Sequence, residues 1–318
     1  MSTHHVDLPA GRIRYEEAGE GPPIVFVHGV LVNGRLWRNV TPRLSDRFRC
    51  IVPDLPLGAH SIPLNDDADR TPAGAARLVG DFLAALDLED VTLVANDTGG
   101  ALTQMLVTES PERVGRVVLT PCDAFDNFLP PMFKPLQLSA RFQPALTGTV
   151  QLLRIRPLRR LPIAFGWLTK RPIPNEVTDE WVRAFLARRE VRRDAARLLA
   201  SIDTRYTLEA AEKLGSFDRP VLLAWATEDR VFPVEHAHRL AKLFPNARVE
   251  EIPDSYSFVP EDQPERLAAL VREFAAEGAN QAGGATQADA EVSPKLAVIV
   301  AVVFASTAAV LMVKDLEV

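Results

Sequence analysis

The sequence predicts an α/β fold, a mostly parallel sheet with helices on both faces that is interrupted by a helical insertion. Short, β-branched and almost wholly apolar runs recur along the first 120 residues, as expected of parallel strands buried on both faces. Amphipathic stretches separate them, giving the β-α-β-α alternation of a doubly wound sheet. The alternation then breaks, and a long proline- and arginine-rich segment with helical patterning intervenes before the next strand-like run.

Taken in order, the strand-like runs are "PIVFVHG" (23–29), "FRCIVPDL" (48–55), "VTLVAND" (91–97) and "RVVLT" (116–120). "PAGAARLVGDFLAALDL" is a helix begun by Pro72, a residue that suits a first turn because it has no N–H to leave unpaired. The insertion spans 125–214 and includes "DEWVRAFLARREVRRDAARLLASI". The strand "PVLLAWA" (220–226), a helix over 234–243, a strand over 248–252 and a helix over 264–275 complete the domain.

After this domain, residues 277–294 are rich in Gly, Ala and Gln, and a flexible linker is expected there. Residues 296–313 are uncharged and mostly Ala, Val, Leu and Ile, flanked by Lys295 and Lys314, so a membrane-spanning helix is expected over 295–314. The placement this implies is the cytoplasmic face of a membrane, with a soluble cytoplasmic protein as the alternative.

With 47% hydrophobic and 25% charged residues, the chain has the balance of a globular protein with a sizeable core. The net charge of −6 argues against a nucleic-acid partner and for a small molecule. Cys50 and Cys122 stand far apart and lack metal-ligand spacing, so no zinc site is expected. The polar N-terminus has no apolar core of a signal peptide.

The chemistry-bearing stretch is "VANDTGG" (94–100). It ends a strand and opens a helix, with small residues two before and two after Asp97. This is the layout of a nucleophile elbow, in which a sharp turn projects the central side chain over the sheet edge. Here that side chain is a carboxylate, which can attack carbon.

With "VHGVLVNGRLW", "VPDLPLGAHS", "WATEDRVFP" and "PEDQPERL" in the expected order, the chain from about residue 12 to 276 resembles the α/β-hydrolase superfamily. Within it the resemblance is to the branch with aspartate nucleophiles: haloalkane dehalogenases, epoxide hydrolases and fluoroacetate dehalogenases. It implies an eight-stranded sheet, a core domain over 1–124 and 215–276, a helical cap over 125–214 inserted after the sixth strand, and no cofactor.

The resemblance also implies roles. Asp97 would displace a halide or open an epoxide or ester, leaving a covalent ester that a histidine-activated water hydrolyses. The N–H groups of Val30 and Thr98 would form the oxyanion hole. Asp229 would orient the histidine, with Asp123 the alternative acid. The histidine's own place is taken by Ser257, whose hydroxyl does not titrate near neutral pH.

Of the six histidines, His60 lies on the active-site edge of the sheet and is the candidate substitute base, while His28 reads as a packing residue behind its loop. Halide donors are expected at the positions of Thr98 and Val30, which cannot serve, leaving Trp167 or Trp181 of the cap. Tyr206 is the candidate phenol donor to an epoxide oxygen. The cap's many arginines read first as solvated surface, and otherwise as a site for carboxylate substrates or a face turned to anionic lipid. The rival to an enzyme is a catalytically retired hydrolase fold that binds a small ligand between cap and sheet at a membrane.

Overall fold

The computed structural model describes residues 1–288, with side chains through Glu277. Its eight strands are β1 (Ser2–Leu8), β2 (Gly11–Ala18), β3 (Pro23–Val27), β4 (Arg49–Pro53), β5 (Val91–Asp97), β6 (Val114–Cys122), β7 (Val221–Ala226) and β8 (Ala247–Ile252). They form one sheet in the order β1-β2-β4-β3-β5-β6-β7-β8. β2 lies antiparallel to β1 and β4, and every other pairing is parallel. β5, β6 and β7 are buried at every position, which explains their unbroken apolar runs.

β1 had no counterpart in the sequence reading. Its residues STHHVDL are polar and largely exposed, so no apolar alternation marks it; it is fixed by pairing with β2. His4 and His5 therefore lie within this edge strand.

Helices α1 (Pro72–Ala85) and α2 (Thr98–Glu109) pack against each other beside the sheet. Thr71 caps α1 by accepting from Gly74 N, with Pro72 in the first turn. Between β6 and β7 the chain forms α3 (Lys134–Ala140), α4 (Gln143–Leu152), α5 (Asn175–Ala187), α6 (Arg189–Ser201) and α7 (Thr204–Lys213). The first four pack on one another as the cap. α7 differs from expectation, because it packs on α2 and Thr207 Oγ1 donates to the Phe125 carbonyl. Its amphipathic face thus belongs to the core layer.

α8 (Val234–Leu243) and the short α9 (Val259–Asp262) precede the last helix, α10 (Pro264–Ala288). One structural unit covers Met1–Glu273, and a second begins at Phe274, inside α10. α10 runs through 277–288 of the stretch expected to be a linker, where alanine and glutamine favour helix. Among the described residues no helix is long and apolar enough to cross a membrane. The apolar stretch 295–314 lies outside them.

Candidate active site

Asp97 sits where β5 ends and α2 begins, with φ 56° and ψ −134°. This is a rare conformation for a side-chain-bearing residue, worth about 1–3 kcal/mol of strain, and it aims the carboxylate off the sheet edge. Small neighbours make it possible. A Cβ on Gly99 would strike the carbonyls of Val27 and His28, and one on Gly29 would strike the Asp97 carboxylate itself. The His28-Gly29 loop is therefore held in direct contact with the nucleophile.

Asp97 Oδ1 accepts from Thr98 N at 2.7 Å and faces Thr98 Oγ1 at 3.4 Å. Among the described residues no acceptor takes the Val30 N–H, and Val30 lines the cavity above Asp97. Thr98 N–H is thus engaged by the carboxylate itself, while Val30 shares the lining of the cavity with Asp97.

His28 is fully buried; its Nε2 accepts from Leu55 N at 3.0 Å and its Nδ1 lies 2.8 Å from the Gly29 carbonyl. Burial pulls its pKa down to about 4. A neutral ring with both nitrogens engaged is a loop brace, as the sequence suggested.

Asp229 Oδ1 accepts from Val231 N, Phe232 N and Ser257 Oγ at 2.7, 2.9 and 2.9 Å. Ser257 therefore occupies the partner's place beside this acid. The Ser257 carbonyl is held by Asn96 Nδ2 at 2.8 Å, and the same amide group reaches Thr120 Oγ1 and the Pro121 carbonyl. Asn96, adjacent to Asp97, ties the elbow to the Ser257 loop across 161 positions. Local patterning contains no sign of this role.

Asp123 accepts from Thr98 Oγ1 at 3.1 Å through Oδ2, while its Oδ1 and the Oδ2 of Asp229 are buried without a partner. Of these two candidate acids, only Asp229 touches Ser257.

Three carboxylates are thus buried at one end of the sheet, and among the described residues no lysine, arginine or histidine pairs with any of them. Burial raises Asp97 to about 7, with hydrogen bonds from Thr98 opposing and the charge of Asp229 adding. Burial likewise raises Asp229 to about 7, against the hydrogen bonds from Phe232 N, Val231 N and Ser257. Asp123 is pushed well above the usual carboxylate range by burial and then by Asp97. The physical cause is burial that no neighbouring cation offsets among the described residues; an imidazolium at 257 would draw these values down.

Above Asp97 lies a cavity of about 160 Å³, whose only charged lining residue is Asp97. Leu129, Leu136, Leu153, Phe165, Leu168 and Phe185 are among its apolar walls. Such a chamber suits an alkyl or other apolar group positioned over a carboxylate.

The remaining predicted residues fall elsewhere. His60 is buried, with Nδ1 accepting from Gly58 N at 3.3 Å and Nε2 facing Asp194 Oδ2 of α6 at 3.4 Å. Both nitrogens are engaged and it does not line the cavity, so it is a brace to the cap and no base for Asp97. Tyr206 stands on α7, its hydroxyl accepting from Arg205, away from the cavity lining. It cannot deliver a proton there.

Trp167 lines a separate, basic cleft of about 810 Å³, beside Arg230. Trp181 does line the cavity over Asp97, but its Nε1 donates to Asn33 Oδ1 at 2.8 Å while Asn33 Nδ2 donates to Glu180. The indole N–H of Trp181, a candidate halide donor, is therefore already engaged. Pairing across 148 positions explains why the sequence could not show it.

Comparison with known proteins agrees with this geometry. The sequence profile for the alpha/beta hydrolase fold matches residues 22–264. The chain is 29% identical to haloalkane dehalogenase 2 of Mycobacterium tuberculosis, over 84% of this chain and 92% of that protein. It is 27% identical to the cis-3-alkyl-4-alkyloxetan-2-one decarboxylase of Shewanella oneidensis, over 86% of this chain and 88% of the relative. Haloalkane dehalogenase DbeA from Bradyrhizobium elkani superposes with a TM-score of 0.72 at 21% identity, covering 87% of this chain and 98% of that one. A strained elbow on a sheet of this strand order, with the profile matching most of its length, places the chain in the alpha/beta hydrolase fold family, among haloalkane dehalogenase-like relatives.

Proposed function

We propose that the protein is a hydrolase-fold enzyme in which Asp97 attacks a carbon of a small apolar epoxide or halide, opening the ring with protonation of its oxygen by water or expelling the halide ion, and becomes a covalent ester that is released slowly; attack on the carbonyl of an ester would instead expel the alcohol and leave a mixed anhydride. The observation that carries this is the pairing of a poised elbow carboxylate under an apolar chamber with a serine hydrogen-bonded to Asp229. For the first half of a two-step displacement, the attacking carboxylate and an apolar chamber above it support the reading, while no side-chain donor free to serve the leaving atom lines that chamber among the described residues. For the second half, a serine hydroxyl cannot take a proton from water near neutral pH. Because Trp181 and Asn33 are engaged with each other, halides are the weaker of these two substrate classes.

One further reading is favoured by Ser257 itself. The Shewanella relative is named for removing carbon dioxide from an alkyl-substituted oxetan-2-one. Opening such a four-membered lactone to an alkene and carbon dioxide balances without water, so it does not require a base at position 257.

Both readings are tested by incubating the full chain with panels of epoxides, haloalkanes, esters and dialkyl β-lactones, then weighing the intact protein and analysing the products. A persistent adduct absent from Asp97→Asn supports the first reading, and alkene with carbon dioxide and no adduct supports the second. Neither adduct nor product with any compound would leave a ligand-binding protein.

A further inference from the structure

Among the residues whose side chains are described, the exposed large apolar side chains concentrate on the cap. Of nine large hydrophobic side chains standing well out in solvent, six lie between Leu138 and Ile163. Leu152, Ile155, Leu161 and Ile163 are 56%, 55%, 45% and 63% exposed, as much as surface lysines in an ordinary protein. Leu152, Leu161 and Ile163 also line the cavity over Asp97, so the exposed patch and the cavity wall are one continuous surface. Ile155 follows Leu152 by one turn, its N–H bonded to the Leu152 carbonyl.

Charge completes the pattern. Between Asn127 and Asn175 the sequence holds eight lysines or arginines and no aspartate or glutamate, in a chain whose net charge is −6. Arg154 and Arg160 are interleaved with the apolar residues, exposed, and without an acidic partner among the described residues. Arg156 and Arg159 share Asp179, supplied from α5.

We propose that this rim of the cap docks on an anionic lipid bilayer, its four aliphatic side chains entering the interface and its arginines meeting the headgroups. Exposed aliphatic residues ringed by unpaired cations are what interfacial binding requires, since apolar burial and attraction to anionic lipid add. A solvated helix face accounts for the arginines but not for Leu152, Ile155, Leu161 and Ile163. The contact would open the cavity toward the acyl region, so that an apolar ligand dissolved in lipid passes to Asp97 without crossing water. The docking itself is independent of whether Asp97 reacts.

The test is sedimentation of the full-length chain with phosphatidylcholine vesicles containing 0 or about 30% phosphatidylglycerol, a range over which interfacial basic residues respond strongly. The wild type is expected to bind the anionic vesicles, and Leu152→Asp with Ile163→Asp to weaken that binding at least about tenfold. Arg154→Gln with Arg160→Gln, which leaves every apolar contact in place, should remove most of the preference for anionic lipid and its salt sensitivity. Each variant keeps the whole chain, so differences among them report the cap alone.

Equal binding by wild type and both variants would overturn the proposal, as would no binding by the wild type. Loss of a dimer in the aspartate variant, measured by sedimentation velocity, with no vesicle binding by the wild type would make the patch an interface between two copies and would also overturn it.

Discussion

At Asp97 the backbone is strained, Gly29 and Gly99 make room around the turn, and the carboxylate is held by Thr98 N beneath an apolar chamber. At Ser257, on the other side of the same site, the loop is held as firmly, by Asn96 from one side and Asp229 from the other, yet the side chain cannot do a base's work. The difference teaches that scaffold and reagent are separable. The main-chain bonds, from Asn96 to the Ser257 carbonyl and from Phe258 N to the Leu168 carbonyl, hold the loop whatever side chain residue 257 bears, whereas the bond to Asp229 and the chemistry depend on that side chain.

The sharpest way to break this contrast is to supply the missing group. Ser257→His should accelerate release of the Asp97 ester by roughly 10²–10⁴, the usual contribution of general base catalysis, turning a trapped adduct into repeated turnover. Product formation per active site over time checks it. If the adduct persists unchanged, the loop does not place residue 257 for water activation.

A second measurement concerns the carboxylate's own charge. With Asp97 near 7, only the ionised fraction attacks. Adduct formation should therefore rise with pH through 7 and level off above 8, falling roughly a hundredfold from pH 8 to pH 5. A flat profile would mean that Asp97 is already fully ionised at pH 5.

The same shift bears on stability. Because the folded value, about 7, lies above the usual 3.8, the neutral acid is the form the fold prefers. That preference is fully present below pH 4 and is lost as pH rises through 7. Asp97→Asn should thus stabilise the protein by on the order of 3 kcal/mol at pH 8, with the gain vanishing near pH 4. Denaturant titrations of both proteins at the two pH values decide it.

The smallest effect tests the link between the two regions. Asn96→Ala removes the donor that holds the Ser257 carbonyl, Thr120 and Pro121, and should cost about 1–3 kcal/mol. Faster amide exchange at Ser257 and Phe258, with little change at Thr98, would show that the elbow stands without the loop.

What could be read in advance follows the range of the interactions. The central strands and the elbow announce themselves locally, through apolar runs and small residues at fixed spacing. The absence of a histidine at 257 is equally local. β1 escaped notice because an exposed edge strand needs no apolar pattern, and α7 was assigned to the cap because its partner face on α2 is invisible in its own sequence. His60, Trp181 and Asn96 were hidden for a different reason: their partners lie 134, 148 and 161 positions away.

Asp194 carries a last consequence. From inside α6 it accepts from Arg70 Nε at 2.6 Å and Leu64 N at 2.9 Å, and it faces His60, which together with Arg70 holds its pKa down at about 2 against burial. With the Arg35–Glu180 pair and the bonds from Thr169, Lys170 and Arg171 to Asp262, this ionised hub ties the cap to the core at several points, and a cap so held is a poor hinge. Rotamer changes of the exposed aliphatic side chains lining the cavity, Leu152, Leu161 and Ile163, cost far less than breaking these links and lifting the cap.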